Sequence, residues 1–355
     1  MDQLTEARKT IDRIDRQMAE LFSRRMAAVR QVVEYKAEND LPILDQGRED
    51  QVVEKNLAYL QDAELAPYYE DYIRHQMSLS RQYQAAFLGK DSVAYQGVEG
   101  AFSHIALTRL FPHARAQSYS SWAEVFEAVE KGEASYGVLP FENSTAGDVS
   151  AVLDLCFAHR LHVVQMYDLP VGQNLLGLPG ATLGDIRKVY SHPQAISQSE
   201  RFLKTLHLST QPFANTAQAA RYVAEKNDKS LAAIASCETA DLYGLQVLAE
   251  NINTDGDNVT RFIVVGRELP SRGNRFSLMF TTDHKAGRLA RVIQDIGAAG
   301  FNMECIKSRP IPHVQFEYYF YVELVGTIDT EATKKLLHTL RQSCRTLRLL
   351  GVYDR

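Results

Sequence analysis

The chain has 355 residues, 45% hydrophobic and 23% charged, with a formal net charge of −5. That length exceeds one ordinary hydrophobic core and predicts two or three domains of common globular composition. The acidic balance argues against a nucleic-acid partner. The four cysteines, Cys156, Cys237, Cys305 and Cys344, have neither CxxC nor His-pair spacing, so neither a disulfide framework nor a structural metal site is expected. Met1-Asp2-Gln3 has no basic start or apolar signal core, and no run of about 18 apolar residues follows. The expected location is therefore cytoplasmic, with no membrane partner.

Leu4, Ala7, Ile11, Ile14, Met18, Leu21, Phe22, Val29, Val32 and Val33 recur at steps of three and four, one apolar stripe over about nine helical turns. Neither Gly nor Pro interrupts it before Pro42, which is expected to end the helix. A helix of roughly 50 Å cannot cover its own stripe, so it must meet other helices or a second copy. Two cations break the stripe. Arg25 is four residues after Leu21 and Lys36 four after Val32, and the two share a face because eleven residues is close to three turns. They are either snorkelling side chains at a rim or a receptor for a small dianion. Arg8 lies about 25 Å from Arg25 along a straight helix. One small ligand touches both only if Arg8 comes from an antiparallel second copy, a geometric reason to expect a dimer. Asp45 to Glu49 starts a capped second helix, and Ser78 and Gln82, four apart, share one face of a third. Basic groups with a Gln and a carboxylate, on helices without a nucleophile or metal cluster, point to catalysis by placement of charge.

In order and spacing, Arg8, Arg25, Lys36, Asp45, Arg48, Glu49, Ser78 and Gln82 make residues 1–88 resemble the all-helical chorismate mutase family, an intertwined dimer. The resemblance implies rearrangement of chorismate to prephenate without a covalent intermediate. It implies that Arg25 and a second copy's Arg8 hold the two carboxylates, and that Lys36 and Gln82 stabilise the ether oxygen. Arg48, Glu49 and Ser78 would position the ring and its hydroxyl, with Asp45 in the same substrate-binding set.

From residue 91 to 268 the pattern becomes strand, polar turn, helix. Ser92-Val93-Ala94-Tyr95 runs into the turn Gly97 to Gly100, a G-x-x-G that lacks the dinucleotide fingerprint. Tyr136 to Phe141 runs into Glu142-Asn143-Ser144-Thr145, Val189 to Ser191 into His192-Pro193, and Leu231 to Ala235 into Ser236. Pro193 suits a first helical turn. Such units form an α/β domain and gather polar groups and helix amides at the carboxyl ends of the strands. Each turn alone reads as a cap; four together, with Asn143, Ser144, Thr145, Ser191, Gln198 and Thr260, read as a cleft wall. His192 is a candidate general base, though beside Pro193 the turn role is preferred. Thr260 and Arg261 stand at the mouth of the buried strand Phe262 to Val265, after the turn-rich Asn253 to Asp257. They either start the strand or face the cleft.

Pro140-Phe141-Glu142-Asn143-Ser144, Tyr190-Ser191-His192-Pro193-Gln194, Leu242-Tyr243-Gly244-Leu245 and Thr260-Arg261-Phe262 make this region resemble prephenate dehydratase along its whole length. That implies two α/β lobes of periplasmic-binding-protein-like build with the active site between them. The reaction needs no cofactor: prephenate loses its ring carboxylate and the hydroxyl across the ring, driven by aromaticity, given orientation and a proton. Thr260 is the candidate for that proton. Glu142, Asn143, Ser144, Ser191, Gln198 and Arg261 form the substrate-binding set.

Residues 274–355 read as strand (275–281), helix (287–299), extended segment (302–309), aromatic strand (315–325), helix (329–342) and strand (347–352). This is the ferredoxin-like βαββαβ order. Gly287-Arg288-Leu289, Gly300-Phe301-Asn302 and Ser308-Arg309-Pro310 make it resemble an ACT regulatory domain. The resemblance implies pairing and binding of L-phenylalanine at Gly287, Leu289, Asn302 and Ser308. It departs from that family at Lys307, where Glu is the pattern, and at Ala286, where Pro is common.

The expected fold is therefore multidomain: all-α, then two-lobed α/β, then α+β ferredoxin-like. The expected function is bifunctional, chorismate to prephenate and prephenate to phenylpyruvate, in phenylalanine biosynthesis, with chorismate, prephenate and L-phenylalanine as small-molecule partners and a homodimer or larger assembly. The alternatives are a small-molecule-sensing regulator and an enzyme with only one active module.

Overall fold

The computed structural model describes residues 3–39, 41, 43–87, 92–254, 258–312 and 314–355, with the side chains of Gln46, Gln82 and Ala86 outside the described set. They fall into two compact units, residues 1–91 and 92–355.

The first unit is helical: α1 (Gln3–Glu38), α2 (Gln46–Leu57) and α3 (Ala66–Phe87). α1 ends at Glu38; Pro42, expected to end it, lies outside the described residues. Asp45 caps α2, its side chain accepting from the Arg48 N–H at 2.9 Å. Val53, Ile73 and Met77 form a small core between α2 and α3. Of the 36 residues of α1, only Val33 is buried, while Leu4, Ile11 and Leu21 are each more than half exposed. The long stripe therefore remains uncovered within one chain.

The second unit begins with β1 (Ser92–Gln96), α4 (Phe102–Leu110), β2 (Arg115–Tyr119), α5 (Trp122–Lys131), β3 (Tyr136–Asn143), β4 (Gly147–Asp148), α6 (Ser150–Ala158) and β5 (His162–Pro170). The chain then crosses to a second lobe: β6 (Asn174–Gly177), β7 (Lys188–Ser191), α7 (Pro193–Gln198), α8 (Glu200–Thr205), β8 (Ser209–Pro212), α9 (Thr216–Lys226), β9 (Leu231–Ala235), α10 (Cys237–Tyr243) and β10 (Gln246–Ala249). It returns to the first lobe as β11 (Val259–Gly266), between β3 and β5 and antiparallel to both. This return gives the two-lobed build of a periplasmic binding protein. The second-lobe sheet has the order β10-β6-β9-β7-β8. Thr239 donates to the Gly100 carbonyl at 3.0 Å and Tyr243 to that of Glu99 at 3.0 Å, so the G-x-x-G turn serves as a lobe contact.

The last segment is β12 (Arg275–Thr281), α11 (Arg288–Ala298), β13 (Asn302–Pro310), β14 (Tyr318–Val325), α12 (Glu331–Ser343) and β15 (Thr346–Tyr353). Its sheet order β13-β14-β12-β15, all antiparallel, is ferredoxin-like. β15 continues into the first-lobe sheet by pairing with β5 at Gly351 and Val163. The core there is shared: Met279, Tyr319, Tyr321, Leu350 and Tyr353 cluster with Phe141, Val163 and Met166.

Gly351 is required by that approach, since an added Cβ would lie 2.3 Å from the Val163 carbonyl oxygen. Gly351→Ala is expected to cost about 1–3 kcal/mol by forcing backbone apart in a dense core. It should show as a lower thermal midpoint and faster amide exchange in β5 and β15. An unchanged midpoint would contradict the close packing.

Candidate active sites

In the helical unit, Arg25 donates to the Ser80 hydroxyl, and both are at least half-buried. Burial lowers the Arg25 pKa, partly countered by Tyr72. Lys36 donates to the Ile43 carbonyl at 2.5 Å and so ties the α1–α2 connector. Glu49 pairs with Arg81 across α2 and α3, a cation absent from the expected set. Arg8 and Arg48 are exposed. The serine that meets Arg25 is Ser80, two residues after Ser78, the serine expected to position the substrate. Two residues turn a helix by about 200°, so Ser78 cannot share that face. Gln84, four residues after Ser80, is buried at 7% exposure with its Oε1 unpartnered among the described residues. The side chain of Gln82 lies outside the described residues.

In the second unit, the mouth of β11 meets the end of β3. The Asn143 amide donates to Thr260 Oγ1 at 2.9 Å and Asn258 Oδ1 at 2.8 Å. Its Oδ1 accepts from the Thr145 N–H, the Thr145 hydroxyl and the Ala146 N–H, which folds the turn after β3. From the second lobe, Gln198 donates to Thr145 Oγ1 at 2.9 Å and accepts from Asn258 Nδ2 at 3.1 Å. Gln173, at the lobe crossing and 3% exposed, donates to Gln198 Oε1 at 3.3 Å. The network opens onto a cavity of about 630 Å³ lined by Thr145, Ala146, Gln194, Gln198, Arg201 and Lys204. Thr260 Oγ1 accepts from Asn143, which leaves its own proton to donate.

Other expected residues fall around this centre. Ser144 Oγ accepts from the Val259 N–H at 3.0 Å, stitching the turn to β11. Arg261 donates to Asp168 at 2.8 and 3.1 Å and reaches Glu142 at 3.4 Å. Ser191 is fully buried and gives its hydroxyl to the Ile234 carbonyl at 2.7 Å, which sets the end of β7 instead of facing the cleft. His192 caps α7, its Nδ1 accepting from the Gln194 N–H at 3.3 Å. Sequence reasoning missed Asn258 and Gln173 as members of the network.

In the last segment a cavity of about 360 Å³ is lined by Asp283, His284, Ala286, Leu289, Tyr318 and Phe320. Gly287 caps α11 in a left-handed conformation (φ 80°) beside it. Ser308 pairs with Phe320, while Asn302 sits at the other end of β13, roughly 20 Å away at strand rise. One chain does not bring those two together.

A family model described as prephenate dehydratase matches residues 93–270, and one described as chorismate mutase type II matches residues 7–85. The bifunctional chorismate mutase/prephenate dehydratase of Aquifex aeolicus (strain VF5) is 31% identical over 363 residues, covering 100% of this chain and 99% of that protein. Arogenate dehydratase 2 of Petunia hybrida is 35% identical over 279 residues, covering 74% of this chain and 71% of that protein. The solved prephenate dehydratase of Arthrobacter aurescens in complex with L-Phe has a TM-score of 0.68 at 28% identity, covering 74% of this chain and 90% of that one. A helical module with cations on its seam, followed by two α/β lobes and a ferredoxin-like segment, is the build of a two-activity enzyme. The chain belongs to the bifunctional chorismate mutase–prephenate dehydratase family.

Hydrogen bonds from Arg261 hold the Asp168 carboxyl below the usual range, and those from Arg309 do the same for Asp154. Their stabilisation is complete above the ordinary carboxylate pKa of about 3.9 and is lost as pH falls through the lowered folded values. Urea midpoints measured from about pH 6 downward should therefore fall in acid. Asp168→Asn should reduce that fall; a slope identical to wild type would contradict it.

Proposed function

We propose that residues 1–88 rearrange chorismate to prephenate, residues 91–268 convert prephenate to phenylpyruvate with loss of carbon dioxide and water, and residues 274–355 form an ACT module that binds L-phenylalanine. The observation that carries the dehydratase reading is Thr260 held by Asn143 at 2.9 Å where the two lobes meet. Its free proton serves the departing hydroxyl. Threonine is a poor acid alone, so it acts within the Asn143–Thr145–Gln198 relay. Gln198 and Asn143 orient the substrate, and the Arg261–Glu142–Asp168 group fixes the strand mouth. A mutase fused to the same chain supplies prephenate, which favours prephenate over arogenate as substrate. The large share of the chain matched by an arogenate dehydratase makes arogenate the competitor to assay beside it.

In the helical unit, Arg25 binds one substrate carboxylate: it is half-buried, depressed by burial and met by a neutral hydroxyl. The second carboxylate is met by Arg8 of a second copy, and the same pairing covers the exposed stripe of α1. Lys36 and Gln84 stabilise the charge growing on the ether oxygen, with Gln84 taking the role first expected of Gln82. Phenylalanine binds in the cavity beside Gly287 and Leu289, completed by a second copy, and lowers dehydratase turnover through coupling between the sites.

Thr260→Val should lower dehydratase kcat by about 10²-fold or more and leave mutase turnover unchanged; near-normal phenylpyruvate formation would reject the assignment. Gln84→Ala should lower mutase kcat by roughly 10²–10³-fold without touching the dehydratase, whereas Gln82→Ala should change either rate by less than about threefold. Mixing inactive Arg8→Ala and Arg25→Ala chains should restore mutase activity, because a mixed dimer regains one intact site. Absence of complementation together with a monomeric mass would reject the shared site.

A further inference from the structure

The β3–β4 hairpin carries an electrostatic problem that its own strands do not solve. Glu142 on β3 stands directly opposite Asp148 on β4, with Asn143 opposite Gly147 one step nearer the turn. Like charges in that position repel and open the pair. Yet this pair closes the turn that carries Thr145 and Ala146 into the cavity wall and that Asn143 folds while holding Thr260.

The answering cation comes from another part of the chain. Lys307 on β13, 159 residues from Asp148, hydrogen-bonds the Asp148 carboxylate. Its Nζ lies 3.2 Å from Glu142 Oε2 and 4.8 Å from the centre of the Phe141 ring, and its side chain is 8% exposed. Arg261 also reaches Glu142, at 3.4 Å, but its Nε and Nη2 are committed to Asp168. Burial works against the Lys307 charge; the Asp148 hydrogen bond, with Cys305 and Glu142 nearby, more than offsets it and holds the pKa above its ordinary value.

We propose that Lys307 is a positioning residue for the dehydratase reaction: its ammonium clamps Glu142 and Asp148 at the base of the turn that sets Asn143 against Thr260. The C-terminal segment thereby holds the cleft wall in its working shape. The proposal rests on the dehydratase reading of the cleft. Chemically the clamp acts through charge, so an arginine substitutes for it and an apolar chain of similar length does not.

The test uses the full chain, with the thermal midpoint as the check that residues 92–355 fold and chorismate turnover as the check on the helical unit. Lys307→Met is expected to lower dehydratase kcat by about tenfold or more, with a smaller change in KM, and to speed amide exchange across residues 142–149. Lys307→Arg is expected to recover most of the rate. Adding Asp148→Asn to Lys307→Met removes the repulsion and should restore both rate and exchange protection, which a packing role for Lys307 does not predict. Wild-type kcat and exchange in Lys307→Met would overturn the clamp. So would failure of both Lys307→Arg and the Asp148→Asn double variant to rescue. Should Lys307→Met not fold, the double variant decides: folding and turnover support the clamp, and failure to fold overturns it. A wild-type chain that does not turn over prephenate would overturn the cleft reading instead, and the exchange comparison would still decide the clamp.

Discussion

Asn143 offers two N–H donors and one carbonyl oxygen, and all are used. The donors reach Thr260, Asn258 and, at 3.2 Å, the Val259 carbonyl, while the oxygen takes three donors from Thr145 and Ala146. With the residue 9% exposed, any unfilled position would cost the desolvation of a buried polar group. A single side chain therefore fixes the β3 end, the turn after it and the mouth of β11 in one geometry. The second lobe joins through Gln198, which bonds both the turn at Thr145 and the strand mouth at Asn258. The contact between the two lobes and the orientation of the threonine therefore share one hydrogen-bond network. The relay itself is made of neutral groups, and the adjoining cavity sets Arg201 and Lys204 against one acid, Glu200, so its lining is net positive toward a substrate that brings its own negative charges.

The helical unit works from the opposite constraint, positive charge on an apolar seam. A guanidinium loses hydration on burial, and a neutral hydroxyl such as Ser80 returns only part of it. The depressed pKa of Arg25 records that imbalance. A carboxylate delivered by a substrate corrects it more fully than any group of the unit that touches Arg25. The exposed stripe of α1 is the same problem in apolar form: about nine turns of helix present Leu4, Ile11, Leu21 and Val32 to solvent within one chain. The pairing proposed above answers both at once, since it covers the stripe and brings a distant arginine to the seam.

Much of this was legible in the sequence, for identifiable reasons. The βαββαβ order was readable because strand alternation and helical stripes differ in period, and the chain shows both cleanly between Arg275 and Tyr353. The buried strand β11 was readable from the apolar, β-branched run Phe262 to Val265, but its place between β3 and β5 was not, because nothing local names a strand's neighbours. On α3 the spacing of polar residues left the face open. Ser78 and Gln82 are four apart, and so are Ser80 and Gln84, so spacing alone cannot separate them. Phase does: Ile73, Met77, Ser80 and Gln84 step by four, three and four, and all four are buried on one face. Ser191 was ambiguous for another reason, because a serine at a strand end serves a neighbouring carbonyl as readily as a ligand. Lys307 was visible only as an inverted charge; its partners are too remote in sequence for any local pattern to name them.

The C-terminal segment is built into the dehydratase and not tethered to it. β15 extends the first-lobe sheet at Gly351, and Tyr319 stacks on Phe157 of α6 with ring centres 4.2 Å apart. Arg348 donates to the carbonyls of Cys156, His159 and Leu161, satisfying the C-terminal end of α6, while Arg309 and Tyr319 hold Asp154 on the same helix. α6 follows directly from the β3–β4 hairpin, so the segment grips both the helix and the turn ahead of it. Dense shared cores transmit displacement because they are not compressible on this scale. A ligand that shifts β13 or β14 therefore has a rigid path to Asn143 and Thr260 and needs no flexible hinge between sensor and cleft. Such coupling needs only different packing of the same sheet in two states, and its size is bounded by how differently the ligand contacts those states.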